Sequence, residues 1–264
     1  MSDHGRFVWH ELLTNDADAA IAFYSAVVGW TPEDMDGPHG RYTVMKVGDR
    51  GVGGIMQVSP ETIDGGARPA WFGYIAVDDV DAWSRKAEAA GGKVHMGPMD
   101  IPGIGRFSMV TDPQGAMVVL FKPLPMQAPP PVPMDTPGAV CWNELHADDW
   151  EKAFGFYADL FGWTRTEAFP MGPQGTYQLF AAAAEAGGET LGGMYNREAG
   201  APHAFWLFYI TVEHIDRGLE RVKRHGGEVL GEPMEVPGGA YVVECRDPQG
   251  AHFAISGYRK EQQA

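Results

Sequence analysis

Two glutamates stand in the same local pattern in two parts of the sequence, and they are its leading candidates for chemistry. Glu11 lies in the segment WHEL and Glu144 in the segment WNEL. A carboxylate can take a proton from a substrate or hold a substrate hydroxyl or amine. His146 follows Glu144 by two residues, and side chains two apart share one face of a strand. An imidazole beside a carboxylate suits proton transfer near neutral pH.

These two segments belong to a duplication that covers most of the chain. Residues 9–121 reappear from residue 142 onward at an offset of 133 to 139 residues. The motifs WxEL, FY, GW, GG, WxxY, a second GG, PG and DPQGA follow one another in the same order in both copies. A repeat of this kind indicates that the fold is built from repeated structural units. A site built from repeated residues should therefore occur twice, and unrepeated residues mark where the copies have diverged.

Each copy predicts two modules of one strand, one helix and three further strands. Capping residues and terminal glycines delimit the helices. Four helices are predicted: Asp16 or Asn15 to Gly29, Asp78-Asp79 to Gly91-Gly92, Trp150 to Gly162, and about Glu213 to Gly226-Gly227. Glycine and proline residues mark the turns that separate the strands after each helix. The series βαβββ, taken four times, predicts an α+β fold.

The halves are joined by a proline-rich segment. Seven prolines fall in residues 123–137, and they favour an extended, semi-rigid polyproline II path. We therefore predict a first domain at 1–122, a linker at 123–137 and a second domain at 138–264.

Composition limits the classes of partner. With 20 basic and 35 acidic residues the net charge is −15, which disfavours nucleic acid and anionic membranes as partners. No apolar stretch is long enough for a membrane span, and residues 1–6 lack the layout of a signal peptide. Motifs for nucleotide binding or serine-hydrolase chemistry are absent from the sequence. We expect a cytoplasmic protein with a small-molecule ligand.

The joint order and spacing of these motifs resembles the vicinal oxygen chelate superfamily, which includes glyoxalase I, bleomycin-resistance proteins, fosfomycin-resistance enzymes and extradiol dioxygenases. The resemblance implies that pairs of βαβββ modules form two glyoxalase-like domains, each an open curved sheet around a cavity. The linker would then fuse what many relatives assemble as a homodimer. A monomer or a weak homodimer is the expected state.

In the metal-dependent relatives, four strand positions of each domain bind a divalent ion. Each metal-binding position can be located in this sequence by its distance from the helices and from the DPQG motif. Three of the four positions then fall on Trp9, Phe72 and Val119 in the first copy and on Trp142, Leu207 and Ala254 in the second. The fourth lies in the GG strands, which offer no carboxylate or imidazole. Indole, phenyl and alkyl groups cannot ligate a metal. We therefore predict no cofactor, although a metal bound by Glu and His at shifted positions is an alternative.

Strand alternation assigns the lining of the implied cavities. If Trp9 and Trp142 face them, so do Glu11, Glu144 and His146. The predicted catalytic residues are Glu11, Glu144, His146 and His252, and the predicted substrate-binding residues are Trp9, Trp142, Phe72, Tyr74, Leu207, Tyr209, Met117 and Val119. The two histidines have no counterpart in the first copy. Alternatively, the glutamates are structural and bind a backbone amide or an arginine such as Arg41 or Arg106.

Two functions from different classes fit these residues. The first is a glyoxalase-like enzyme without the inherited metal, which uses its glutamates for proton abstraction, isomerisation or lyase chemistry, or oxygenation of an activated aromatic or carbonyl compound. The second is a binding protein that sequesters a flat apolar molecule, as bleomycin-resistance relatives do. A metal-dependent lyase or dioxygenase with shifted ligands is the third interpretation.

Overall fold

The structure, a computed structural model, describes residues 3–37, 40–125, 131–172, 175–182, 190–198 and 203–259. Residues 126–130 of the predicted linker lie outside these ranges. The strands of the first copy are β1 (Phe7–Thr14), β2 (Thr31–Gly37), β3 (Gly40–Val47), β4 (Arg50–Gln57), β5 (Ala70–Ala76), β6 (Lys93–Ile101), β7 (Gly105–Thr111) and β8 (Met117–Pro123). Its helices are α1 (Ala17–Val28), α2 (Pro60–Asp64) and α3 (Val80–Ala89).

The second copy repeats this order with a shorter helix list. Its strands are β9 (Val140–Ala147), β10 (Thr164–Pro170), β11 (Thr176–Ala181), β12 (Thr190–Asn196), β13 (Phe205–Thr211), β14 (Glu228–Val229), β15 (Met234–Glu235), β16 (Tyr241–Arg246) and β17 (His252–Gly257). Its helices are α4 (Trp150–Phe161) and α5 (Ile215–Arg224).

Each copy forms one mixed sheet. The first sheet has the strand order β2-β3-β4-β1-β5-β8-β7-β6, and the second has β10-β11-β12-β9-β13-β17-β16-β14, with β15 paired to β16. Strand β1 pairs in parallel with β4, and β5 with β8, whereas the pairs β2-β3 and β7-β8 are antiparallel. The predicted α+β fold of four βαβββ modules is therefore confirmed, with α2 as an additional short helix.

The helices begin and end where local signals place them. The Asp16 side chain accepts a hydrogen bond from a backbone N–H in the first turn of α1, and Asp149 does the same for α4. Gly29 and Gly162 follow these helices with φ angles of 80° and 70°. Because that left-handed conformation strains residues with a Cβ, glycine terminates the helix at these two points.

A buried tyrosine in each of the helices α1 and α4 links two other motifs of the duplication. The hydroxyl of Tyr157, in α4, donates to Asp112 Oδ2 at 3.1 Å and accepts from Trp206 Nε1 at 3.0 Å. Tyr24, in α1, stands in the same relation to Asp247 and Trp71. The tryptophans of the WxxY motifs thus face the helices, as strand parity predicts. Both aspartates belong to the DPQG turn of the other sequence copy.

The chain divides into two compact units that do not coincide with the sequence copies. One comprises Met1–Trp9, Phe72–Gln127 and Trp142–Leu207, and the other comprises His10–Trp71, Ala128–Cys141 and Phe208–Ala264. Each unit therefore combines one module of the first copy with one of the second. None of the helices in the described part of the chain is long and apolar enough to cross a membrane.

Candidate functional site

A carboxylate and an imidazole lie side by side on strand β9. Glu144 Oε1 and His146 Nε2 are 2.9 Å apart. Both residues are nearly enclosed, with relative exposures of 6% and 5%. The two-residue spacing puts them on one face of the strand, as the sequence predicts. A carboxylate beside an imidazole can accept a proton from a substrate and return it.

Two further side chains extend this pair on the carboxylate side. The Tyr177 hydroxyl donates a hydrogen bond of 2.5 Å to Glu144 Oε2, and Trp142 Nε1 donates to the Tyr177 oxygen at 2.8 Å. Burial, and secondly the charge of Glu144, raise the pKa of Tyr177 well above its usual value of 10.0. The phenol is therefore protonated at neutral pH and acts as a hydrogen-bond donor.

An aromatic environment fixes the imidazole on its other side. The Tyr195 hydroxyl lies 3.0 Å from Nδ1 and 3.4 Å from Nε2 of His146. The Phe205 ring stacks on the imidazole with 4.3 Å between ring centroids and an interplanar angle of 25°. Since its neighbour Trp206 points towards α4, Phe205 points to the opposite sheet face. The whole cluster therefore lies on the face of the second sheet that α4 does not cover.

Register and glycine explain why these side chains meet. Gly193 pairs with Glu144 across β12 and β9, and Tyr195 pairs with His146. A Cβ atom on Gly193 would lie 2.3 Å from the Tyr177 ring. The second glycine of the repeated GG motif thus leaves room for the ring that bonds Glu144. Its role is spatial, because its backbone does not adopt a positive φ.

The first sheet keeps part of this arrangement. Glu11, which is 8% exposed, pairs with Gly54, and a Cβ there would lie 1.9 Å from the Tyr42 hydroxyl. The carboxylate, the glycine and the tyrosine therefore recur at the same places. The next pair in register is Leu13 with Met56, in place of His146 with Tyr195. The two copies of the site share a carboxylate and a phenol and differ in the imidazole.

Several predicted substrate-binding residues of the first copy meet in one apolar cluster. Tyr74 and Val119 are buried and pair across β5 and β8, and Trp9 and Phe72 pack against them. The remaining members of the cluster are Val8, Ile101, Phe107, Met109 and Phe121. Met117 is half-buried at the start of β8. Contact of these residues with a ligand stays a prediction.

The other predicted residues of the second copy lie on β13 and β17. Leu207 is fully buried, and Tyr209 pairs with Ala254. His252 accepts a hydrogen bond of 2.8 Å from Arg246, which also forms an ion pair of 2.7 Å with Glu228. The part of His252 in proton transfer stays a prediction.

The arginines proposed as structural partners of the glutamates bind elsewhere. Arg41 bonds Asp18 and Asp34, and Arg106 bonds two other aspartates. The Glu144 carboxylate instead accepts from the imidazole and the phenol described above. For this glutamate the predicted cluster with His146 is the arrangement that the structure contains.

Comparison with known proteins agrees with this fold. The family model described as Glyoxalase/Bleomycin resistance protein/Dioxygenase superfamily matches residues 6–120 and 142–255. The chain belongs to this superfamily. The vicinal oxygen chelate resemblance drawn from the repeated motifs is therefore confirmed, and both copies carry the match.

Relatives of this superfamily align along nearly the whole chain. "Putative glyoxylase CFP32" of Mycobacterium tuberculosis (strain CDC 1551 / Oshkosh) is 34% identical over 94% of this chain and 92% of its own length. Anthracycline biosynthesis protein DauV of Streptomyces sp. (strain C5) is 29% identical over 95% and 92%. Among solved structures, the Mn(II)-bound glyoxalase of Novosphingobium aromaticivorans has a TM-score of 0.64 at 18% identity, covering 99% of this chain and 84% of that one. This last likeness concerns the fold alone.

The solved glyoxalase of Novosphingobium aromaticivorans is Mn(II)-bound, whereas the positions carried over for a metal hold indole, phenyl and alkyl side chains in this chain. That the chain uses no metal stays a prediction. At the first-copy positions the side chains form the apolar cluster rather than a set of donors. Among the residues that the structure describes, no three His, Cys, Asp or Glu side chains converge as metal ligands would. The inherited positions are Trp9, Phe72, Val119, Trp142, Leu207 and Ala254.

Sequence reasoning did not select Tyr177, Tyr195 or Phe205. Tyr177 carried a signal, because a tyrosine begins the same strand of each copy, at Tyr42 and at 177. Tyr195 and Phe205 replace Met56 and an alanine of the first copy. The comparison of copies that identified His146 as unmatched would also have identified these two residues.

Proposed function

We propose that this chain is a superfamily enzyme that removes and returns a proton on the carbon beside a carbonyl group, with Glu144 and His146 as its acid–base pair. The observation that carries the proposal is the buried 2.9 Å contact between carboxylate and imidazole, with a phenol on each side. General acid–base catalysis contributes roughly 100- to 10,000-fold in rate. This is the contribution that such a pair supplies.

The proton balance uses only residues of this chain. The substrate C–H bond breaks, the proton passes to the Glu144–His146 pair, and the electron pair moves onto the carbonyl oxygen as an enolate. The same pair then returns a proton to carbon. Either of the two hydrogen-bonded groups can hold the proton. The Tyr195 hydroxyl lies 3.0 Å from His146 Nδ1 and orients the imidazole.

The surroundings of the pair favour an aromatic substrate. Trp142, Tyr177 and Phe205 are only partly enclosed, and their rings lie around the carboxylate and imidazole. Flat aromatic molecules stack well on such rings. One relative is named "Putative glyoxylase CFP32" and another an anthracycline biosynthesis protein, and these names support a small organic substrate.

The test is hydrogen exchange in an aryl α-hydroxyketone, 2-hydroxyacetophenone, followed by proton NMR in D₂O. We expect the wild-type chain to replace its α-hydrogens faster than buffer does. Glu144→Gln should lower the rate of a site that uses the pair by about 100-fold. Glu235→Gln, at an exposed glutamate on β15, is the matched control and should retain the wild-type rate. Exchange at the buffer rate, or an unchanged rate in Glu144→Gln, would overturn the proposal.

A sequestering function is the second candidate, and the apolar cluster around Tyr74 and Val119 favours it. That cluster presents indole, phenyl and thioether surfaces and is rich in carbon. Such a surface binds a flat molecule by burial without chemistry. Quenching of tryptophan fluorescence by the ketone, with its α-hydrogens unexchanged after long incubation, would support this function instead of the enzyme.

A further inference from the structure

We infer that proton transfer is confined to the second half of the chain and that the first half has kept the carboxylate without the chemistry. The inference rests on the proposed function and adds to it which of the two related sites acts. It follows from the residues that occupy equivalent positions in the first and the second sheet.

The scaffold of the two sites is the same. Glu11 pairs with Gly54, and Glu144 pairs with Gly193, both in parallel strand pairs. A tyrosine lies over each glycine, close enough that no Cβ would fit. The carboxylate and this tyrosine therefore belong to what the copies share and cannot explain a function of one copy alone.

The two sites differ two residues further along the same strands. His146 and Tyr195 pair in the second sheet, and Leu13 and Met56 occupy the equivalent pair in the first. Phe205, which stacks on the imidazole, is likewise replaced by an alanine at position 70. An alkyl group or a thioether can neither take nor give a proton. At these matched positions the imidazole, the Tyr195 phenol and the stacking ring are present together in the second half and replaced together in the first.

Because all three of these side chains are replaced in the first half, we assign proton transfer to the second half. A carboxylate or an imidazole can take the proton of the substrate C–H bond. The imidazole, which also releases it near neutral pH, lies beside Glu144, whereas Leu13 stands at the matched position beside Glu11. In the second half the proton moves to the Glu144–His146 pair, the electrons move to the carbonyl oxygen, and a proton returns from the same pair. No oxidant or second reactant is needed.

The decisive variant converts the second site into a copy of the first. His146→Leu combined with Tyr195→Met installs the residues that the first sheet already accommodates at these places. We expect exchange of 2-hydroxyacetophenone to fall to about 1% of the wild-type rate. If the first half were active with leucine and methionine, this variant would contain two such sites and retain at least half of the rate. That result would overturn the inference.

Two accompanying measurements separate the possible failures. Met56→Leu, in the paired position of the first sheet, is the control and should retain wild-type exchange. The melting temperature and fluorescence quenching by the ketone should show that the double variant is folded and binds. If Glu144→Gln loses activity but the double variant does not, the carboxylate acts without the imidazole, and both the proposed pair and this inference fall. If Glu144→Gln and the double variant each retain about half of the rate, both halves act: the proposed pair stands and only this inference falls.

Discussion

Gly193 has no side chain, and this allows the Tyr177 ring to reach Glu144. The Tyr177 ring occupies the space where a Cβ of this glycine would lie, at 2.3 Å. From there its hydroxyl donates to Glu144 and accepts from Trp142. Gly54 stands in the same relation to the Tyr42 hydroxyl. The second glycine of the GG motif therefore leaves the space that a tyrosine ring of the neighbouring strand occupies. The sequence of the tyrosine's own strand does not indicate this position.

Gly193→Ala should disconnect Tyr177 from the carboxylate. The added methyl group displaces the ring, and overpacking of this kind lowers the free energy of unfolding by about 1–3 kcal/mol. A hydrogen bond to a charged group contributes roughly 1.5–3 kcal/mol, so exchange of the ketone should slow about 10-fold or more. NMR exchange and urea denaturation measure both effects. Gly155→Ala, on exposed α4 surface with nothing near its Cβ, is the control. A Gly193→Ala rate equal to wild type would contradict the role given to this glycine.

At the scale of elements, local signals predicted the four long helices and not the short segments. Asp16 and Asp79 cap α1 and α3, within the predicted starts at Asp16 or Asn15 and at Asp78-Asp79, because a cap depends on neighbouring residues alone. Helix α2 has only five residues, too few to show a period. The strand expected after α5 is divided into β14 and β15, with Pro233 directly before the second. Proline lacks the N–H that a continuous ladder needs.

The same distinction applies to the candidate site. Glu144 and His146 share a strand, so a period of two was sufficient to place them together. Tyr177 and Tyr195 come from β11 and β12, and their position depends on the register between strands. Register is set by the packing of the whole sheet. The sequence therefore predicted that the carboxylate and the imidazole lie together and could not predict the phenols that contact them.

Tyr157→Phe should weaken the connection between α4 and the DPQG turn. It leaves Asp112 Oδ2 and Trp206 Nε1 without their hydrogen bond in a buried place. Loss of a partner there lowers the free energy of unfolding by about 1–3 kcal/mol, which urea denaturation can measure. Tyr241→Phe removes only an exposed bond to Glu235 and should change stability little. Equal losses in the two variants would contradict a structural role specific to Tyr157.

At the scale of the whole molecule, duplication separates stability from chemistry. The helix tyrosines and DPQG aspartates recur in both copies and hold equivalent places. The imidazole and its aromatic neighbours occur in one copy. Each compact unit contains modules from both copies, and each contains one of these tyrosine–aspartate hydrogen bonds. The shared motifs therefore contribute to both units, whereas the imidazole and its stacking ring lie in one of them.

Burial of tyrosines also sets how the molecule responds to alkaline pH. Burial raises the pKa of Tyr24, Tyr157 and Tyr177 well above the usual 10.0. Because each folded-state pKa exceeds the unfolded one, their contribution to stability is complete below about pH 10 and is lost as pH rises through the folded values. Burial also raises the pKa of Cys245 from 9.0 to about 12, which acts in the same direction between those two values.

Titration followed at 295 nm, where tyrosinate absorbs, should therefore differ between folded and unfolded chains. Of the nine tyrosines, all should ionise near pH 10 in concentrated urea. In buffer at about pH 11, we expect at least three to stay protonated and to ionise only when the chain unfolds. The triple variant Tyr24→Phe, Tyr157→Phe and Tyr177→Phe should remove this delayed absorbance change if it is folded. Coincident titration curves in buffer and urea would show that these phenols are not buried as the structure places them.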